Sequence, residues 1–213
     1  TINSITVGKG ANNVAGNTTL GESALDAAVT GGNNTAIGKD TLTTNTSGYE
    51  NVAVGSLALD ANTTANANTA VGYQAMTANT TGASNTVVGR SGLQQNTTGS
   101  NNTAVGNRSL LSNTTGANNT AVGANALDAN TVGTFNTAVG RDALTNSTGS
   151  ENTATGGNSL KQNTTGSYNT AFGVSSLESN TTASDNTAVG RNAMAVNTTG
   201  TRNTAVGSLA LDA

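Results

Sequence analysis

Residues 68–84 read Asn68-Thr69-Ala70-Val71-Gly72-Tyr73-Gln74-Ala75-Met76-Thr77-Ala78-Asn79-Thr80-Thr81-Gly82-Ala83-Ser84, and the same pattern returns along nearly the whole chain. The glycine that closes its Asn-Thr-Ala-Val-Gly run recurs at Gly21, Gly38, Gly55, Gly72, Gly89, Gly106, Gly123, Gly140, Gly156, Gly173, Gly190 and Gly207. The spacing is 17, with a single 16 between Gly140 and Gly156. A fixed short period is the mark of a repeat architecture in which each unit packs on its neighbours.

Two apolar columns follow from that register. Four residues after each glycine stands Leu25, Leu42, Leu59, Met76, Leu93, Leu110, Leu127, Leu144, Leu160, Leu177, Met194 or Leu211, never a polar residue, so this column is expected in the core. The residue before each glycine, as at Val71, Val105, Val122 and Val139, is mostly β-branched, which suits a strand and predicts a second core column. Gly and Asn bound each apolar piece and accept positive φ in turns, so each unit is expected to hold two short strands and two turns. No uninterrupted amphipathic stretch supports a helix. The expected fold is all-β, a parallel β-solenoid or β-roll of 17-residue repeats.

Residues 17–213 supply twelve units, the last incomplete, while residues 1–16 form an irregular first unit, a cap or a junction, because Gly8 precedes Gly21 by only 13 residues. The one missing residue falls within Leu144-Thr145-Asn146-Ser147-Thr148-Gly149, a turn, where length changes are tolerated. The lack of an initiator Met and the stop in mid-unit predict a piece of a longer array.

If each unit is one rung, equivalent residues lie ~4.8 Å apart and twelve rungs span ~58 Å. Charges occupy the same position in adjacent units at Glu22 and Lys39, Lys161 and Glu178, and Asp185 and Arg202, each pair opposite in sign, as stacking requires. One asparagine column, containing Asn34, Asn51, Asn68, Asn85, Asn102, Asn119 and Asn136, runs from Asn17 to Asn203, and another begins at Asn45, Asn62, Asn79 and Asn96. Stacked amides form hydrogen-bonded ladders, which explains these columns without a ligand.

Composition narrows function. The chain has no Cys, His, Pro or Trp, only two Phe and three Tyr, and a net charge of -3. Disulfides and thiolate metal sites are excluded, and no field attracts nucleic acid or anionic lipid. No run of about 18 apolar residues predicts membrane insertion. Without His or a nucleophile beside a base, acid-base and covalent catalysis lack their parts, so no enzyme and no cofactor are expected. Asp26, Asp60, Asp128 and Asp212 share one position but sit in separate units, which favours solvated turns over calcium sites. Triplets such as Asn62-Thr63-Thr64 and Asn96-Thr97-Thr98 match a glycosylation acceptor because the repeat generates them. Tyr49, Tyr73, Phe135 and Tyr168 are read as isolated surface residues.

The unit Asn68 to Met76 and its relatives, joined by Asn-Thr-Thr-Gly, resemble the repeats of phage tail-fibre and related surface proteins, many of which end in an endosialidase-type chaperone domain. They also resemble the Asn-Ser-Val-Ala-Ile-Gly repeats of trimeric autotransporter adhesin heads, whose parallel β-rolls assemble as trimers. These resemblances imply an extracellular, cell-surface or virion shaft that gives length and stiffness and presents attachment modules for a receptor or glycan. The small core per unit independently favours self-association, as a parallel homotrimer in which Leu or Val columns meet on an axis, or end to end, with a single-chain solenoid left open. Two alternatives are a self-assembling β-solenoid filament and an ice-binding face built from Thr35, Thr69, Thr86, Thr103, Thr120 and Thr137.

Overall fold

The computed structural model describes residues 6–212. β1 spans Thr6–Gly8, β2 Thr18–Gly21, β3 Thr35–Ile37, β4 Val52–Val54, β5 Thr69–Val71, β6 Thr86–Val88 and β7 Thr103–Val105. β8 spans Thr120–Val122, β9 Thr137–Val139, β10 Thr153–Thr155, β11 Thr170–Phe172, β12 Thr187–Val189 and β13 Thr204–Val206. All thirteen lie in one sheet in chain order. From β2 onward neighbours are parallel and in register, so that Thr103 pairs with Thr120 and Val105 with Val122. The short unit keeps this register, with Thr137 opposite Thr153 and Val139 opposite Thr155. The result is a parallel β-solenoid of about eleven turns with repeats of about 17 residues. No helix among the described residues is long and apolar enough to cross a membrane.

The irregular first unit folds across the first rung. β1 runs antiparallel to β2, with Val7 opposite Leu20. The 3-10 turn Ala11–Asn13 follows, and the Ala11 N–H donates to the Leu25 carbonyl at 3.1 Å.

Strand alternation decides what enters the core. In each three-residue Thr-Ala-Val strand the middle side chain points inward and the outer two point to solvent. Ala53, Ala70, Ala104, Ala121 and Ala138 are fully buried, with Leu42, Leu59, Leu93, Leu110, Leu127, Leu144, Leu160 and Leu177 enclosed opposite them. The expected valine core column is therefore wrong. Val71, Val105 and Val122 are half-buried on the outer face, and Val139 is 37 % exposed. The leucines from Leu25 to Leu177 are enclosed within their own chain and present no surface to an axis shared with other copies, whereas Leu211 of the last unit, expected in the same core column, is 61 % exposed.

The interior is narrow enough that volume is conserved within one rung. Val87 takes the inward position that alanine holds in neighbouring rungs and is fully buried. Gly92, in that same rung, replaces the small side chain that faces it elsewhere, and a Cβ there would lie 2.7 Å from the Val87 Cγ1. One added group is matched by one removed, as close packing demands. Where Thr41, Ser109, Ser159 and Ser176 fill this position their hydroxyls donate to carbonyls at 2.9, 3.1, 3.2 and 3.0 Å.

The expected second strand is replaced by a tight corner. Leu110 has φ 52° and Arg108 φ 58°, and their counterparts in the other rungs have similar values. Left-handed backbone at a leucine costs roughly 1–2 kcal/mol, offset here by complete burial of the side chain. Alternating left-handed residues bend the chain so sharply that no extended segment forms. The corner still bonds to its neighbour, since the Leu110 N–H donates to the Ala126 carbonyl at 2.9 Å. Only glycine fits just before it: Gly72 has φ 143°, and a Cβ there would strike the Gly89 carbonyl.

A single chain hides this interior well. Its accessible surface of 8516 Å² is close to the ~8,900 Å² expected of a compact monomer of this mass. The thin core does not by itself demand a partner.

Candidate functional site

The most specific side-chain arrangement in the molecule is a pair of buried asparagine ladders running along the rod. In the first, every asparagine enters a strand. The Asn102 N–H donates to Asn85 Oδ1 at 2.9 Å and its Nδ2 to the same oxygen at 3.2 Å. One rung on, the Asn119 N–H and Nδ2 repeat the pattern on Asn102 Oδ1 at 3.0 and 3.2 Å. Each oxygen thus satisfies a buried backbone donor that alignment of the strands alone leaves unpaired. Asn34, Asn51, Asn68, Asn85, Asn102, Asn119 and Asn136 all lie in this ladder at 1 % exposure or less.

The second ladder lies at the turn three residues beyond each leucine. Asn113 Nδ2 donates to Asn96 Oδ1 at 2.8 Å, and Asn96 Nδ2 to Asn79 Oδ1 at 2.7 Å. No backbone donor depends on the Asn79 and Asn96 oxygens, and the Asn113 N–H instead reaches the Leu110 carbonyl at 3.2 Å; in the last unit the Gly200 N–H does reach Asn197 Oδ1, at 3.0 Å. The two ladders meet once per rung on a shared carbonyl. Gly116 O accepts from Asn102 Nδ2 at 2.9 Å and from Asn113 Nδ2 at 3.0 Å. Sequence reading missed this junction, although the constant Asn-x-x-Gly or Asn-x-x-Ala spacing marks it.

The short unit interrupts only the second ladder. Ser147 occupies the asparagine position, buried, and its Oγ accepts from Asn163 Nδ2 at 3.0 Å. Its shorter side chain does not reach back, and Asn130 Oδ1 is left buried without a partner. The first ladder passes this rung intact, with the Asn152 N–H on Asn136 Oδ1 at 3.0 Å.

Charges are confined to the corners. Lys39 and Glu22 pair at 3.2 Å, but Lys161 with Glu178 and Asp185 with Arg202 do not close; the pairs found instead are Arg108–Asp128 and Arg141–Asp142, each at 3.0 Å. The Arg108 pair is diagonal, spanning 20 residues, a geometry that comparison of equivalent positions overlooks. Asp142 is 7 % exposed and takes hydrogen bonds from Asn125 Nδ2 at 2.9 Å and Arg141 Nε at 3.0 Å. The Asn125 bond, then the bond and charge of Arg141 and the charge of Lys161, hold its carboxyl below the usual aspartate range against the opposing effect of burial.

Among the described residues no three of His, Cys, Asp and Glu lie close enough together to hold a metal ion. Asp128, of the aspartates sharing the residue after the leucine, is engaged by Arg108. Tyr49, Tyr73, Phe135 and Tyr168 are exposed. Gln74, Arg90, Ser91, Gln94, Arg108 and Leu111 line an open depression of about 240 Å³, across which Gln94 Nε2 donates to Gln74 Oε1 at 3.2 Å.

The remaining feature is the outer face of the sheet. Thr35, Thr69, Thr86, Thr103, Thr120 and Thr137 lie in one outward column, interrupted by Val52, and Val54, Val71, Val88, Val105, Val122 and Val139 in the other, separated by the inward alanines and Val87. From β2 to β13 neither column carries a charged side chain. Comparison with family models, with curated proteins and with solved structures finds no match to this chain.

Proposed function

We propose that this chain is a non-catalytic segment of an extracellular fibre or adhesin shaft, acting with other copies of itself to give length and stiffness to attachment modules on a cell or virion surface. The observation that carries this reading is the uninterrupted parallel stack from β2 to β13. Its buried polar side chains are spent on joining one rung to the next, through amide ladders that extend the rod without limit of length. Such a stack transmits load along its axis because bending it strains many hydrogen bonds at once. The resemblance of the Asn-Thr-Ala-Val-Gly units to tail-fibre and adhesin-head repeats points the same way.

Immunogold electron microscopy of the native source, with antibodies raised against the rod, tests this reading. Gold along filaments projecting from a cell or particle surface is the expected result. Gold confined to the cell interior would overturn it.

A second reading is favoured by one observation, the flat array of outward Thr and Val columns, which suits the ordering of water at an ice surface. Thermal hysteresis at millimolar protein decides this, and the shaft reading predicts none.

A further inference from the structure

We infer that the open depression at the corners following β5, β6 and β7 binds a small hydroxyl-bearing carboxylate, about the size of one acidic sugar ring. The shaft reading places attachment chemistry in other modules, whereas this site lies on the rod itself.

The depression has a local cause. Across these corners the second residue after the repeat glycine meets a residue of the next rung, 20 positions further on, as Gln74 meets Gln94 at 3.2 Å and Arg108 meets Asp128 at 3.0 Å. Between these two bonds the corresponding pair is Ser91 and Leu111, a hydroxyl and an aliphatic chain that cannot bond and leave space unfilled. The hollow of about 240 Å³ is lined by these two, by Gln74 and Gln94, and by Arg90 and Arg108. Pockets for drug-sized ligands begin at roughly 300 Å³, so this one holds a single ring.

Its charge stands apart from the rest of the chain. No Asp or Glu occurs between Asp60 and Asp128, and Arg90 and Arg108 are the only charged residues in that stretch. The chain as a whole carries a net charge of -3, so this cationic window runs against its background. Asp128 engages a single nitrogen of Arg108, and among the described residues Arg90 has no ion-pair partner. A guanidinium offers parallel N–H groups matched to the two oxygens of a carboxylate. Ser91 is 7 % exposed, and its hydroxyl has no hydrogen-bond partner among the described residues. Gln74 Nε2 and Gln94 Oε1 are left unused by their mutual bond. A donor, an acceptor and a hydroxyl beside two guanidiniums suit a carboxylate carried on a hydroxylated ring.

Titration of the isotope-labelled chain, followed by backbone amide shifts at fixed ionic strength, tests the inference with three probes that share one ring: glucuronate, glucose and sulfated glucose. Glucuronate is expected to give saturating shifts centred on Ser91, with a millimolar Kd, and glucose none. Arg90→Ala, at an exposed position, is expected to weaken binding at least about tenfold. Ser91→Leu fills the floor and is expected to abolish it; Leu57 already stands at the equivalent position of another rung. Arg191→Ala removes a cation from the position equivalent to Arg90 in another rung and is expected to change nothing. Absence of saturating shifts with glucuronate, an equal response to glucose, or equal weakening by Arg191→Ala overturns the inference. Sulfated glucose binding as tightly as glucuronate overturns the carboxylate assignment. Each of these failures leaves the shaft reading and its immunogold test untouched.

Discussion

The two asparagine ladders look alike in sequence yet hold different things. The first binds the backbone of the next rung, as the Asn119 N–H on Asn102 Oδ1 illustrates, and it is unbroken from Asn17 to Asn203. The second binds side chain to side chain, and it survives a serine at position 147 with one buried oxygen left unpaired. The difference shows where the fold has slack. A lost amide–amide bond between rungs is tolerated, whereas the strand entry, where a main-chain donor has no other partner, admits only asparagine.

The largest effect falls on the column that both ladders enclose. Leu110→Asp places a carboxylate at a fully buried site and is expected to cost about 5 kcal/mol or more, enough to abolish the thermal transition, while Leu110→Met melts near the parent. The methionines at 76 and 194 already occupy this column. Retention of a cooperative melt by the Asp variant would remove the core assignment.

Next come the ladders themselves. Asn102→Leu strips the acceptor from both the Asn119 N–H and Asn119 Nδ2 and removes the Nδ2 donor from Asn85 Oδ1, which keeps the Asn102 N–H, so a loss of about 3–5 kcal/mol is expected in urea unfolding. Asn113→Leu orphans Asn96 Oδ1 but leaves Gly116 O bonded to Asn102 and Asn130 Nδ2 bonded to Gly133 O at 3.1 Å. Its expected loss is about 1–3 kcal/mol. Equal losses would erase the distinction between the ladders.

A smaller change sharpens it. Ser147→Asn offers Nδ2 to the orphaned Asn130 Oδ1 and is expected to raise the midpoint by about 1 kcal/mol of stability. Destabilisation would mean that the missing residue, not the short side chain, breaks the second ladder.

The smallest effect lies off both ladders. Asp142 has its folded pKa lowered, so its stabilisation is complete above the ordinary aspartate value of ~3.9 and is lost as pH falls through the lower folded value. Asp142→Asn should therefore melt slightly below the parent at neutral pH, by about 1 kcal/mol or less, and the two curves should converge in acid. A gap that widens on acidification contradicts the assignment.

The repeat, its register and both ladders were legible because they rest on identity at fixed spacing. Two features were not. Val71, Val105, Val122 and Val139 read as core because β-branched residues suggest burial, but a strand of three residues has one inward position and alanine fills it. Leu110 and its equivalents read as a strand because nothing at those positions signals positive φ. The left-handed corner is imposed by stacking and burial, which override local preference. The shared Gly116 carbonyl arises from three-dimensional closure of the rung and shows in sequence only as the Asn-x-x-Gly spacing, while the diagonal Arg108–Asp128 pair leaves no trace in a column of equivalent residues.

Residue-resolved amide hydrogen exchange of the unaltered chain tests most directly that the first ladder carries the backbone of the stack. The Asn85, Asn102, Asn119 and Asn136 backbone amides are predicted to exchange only through global unfolding, sharing one free energy and outlasting the Thr148 amide beside Ser147. Exchange of these four amides as fast as those of the exposed turns would contradict it.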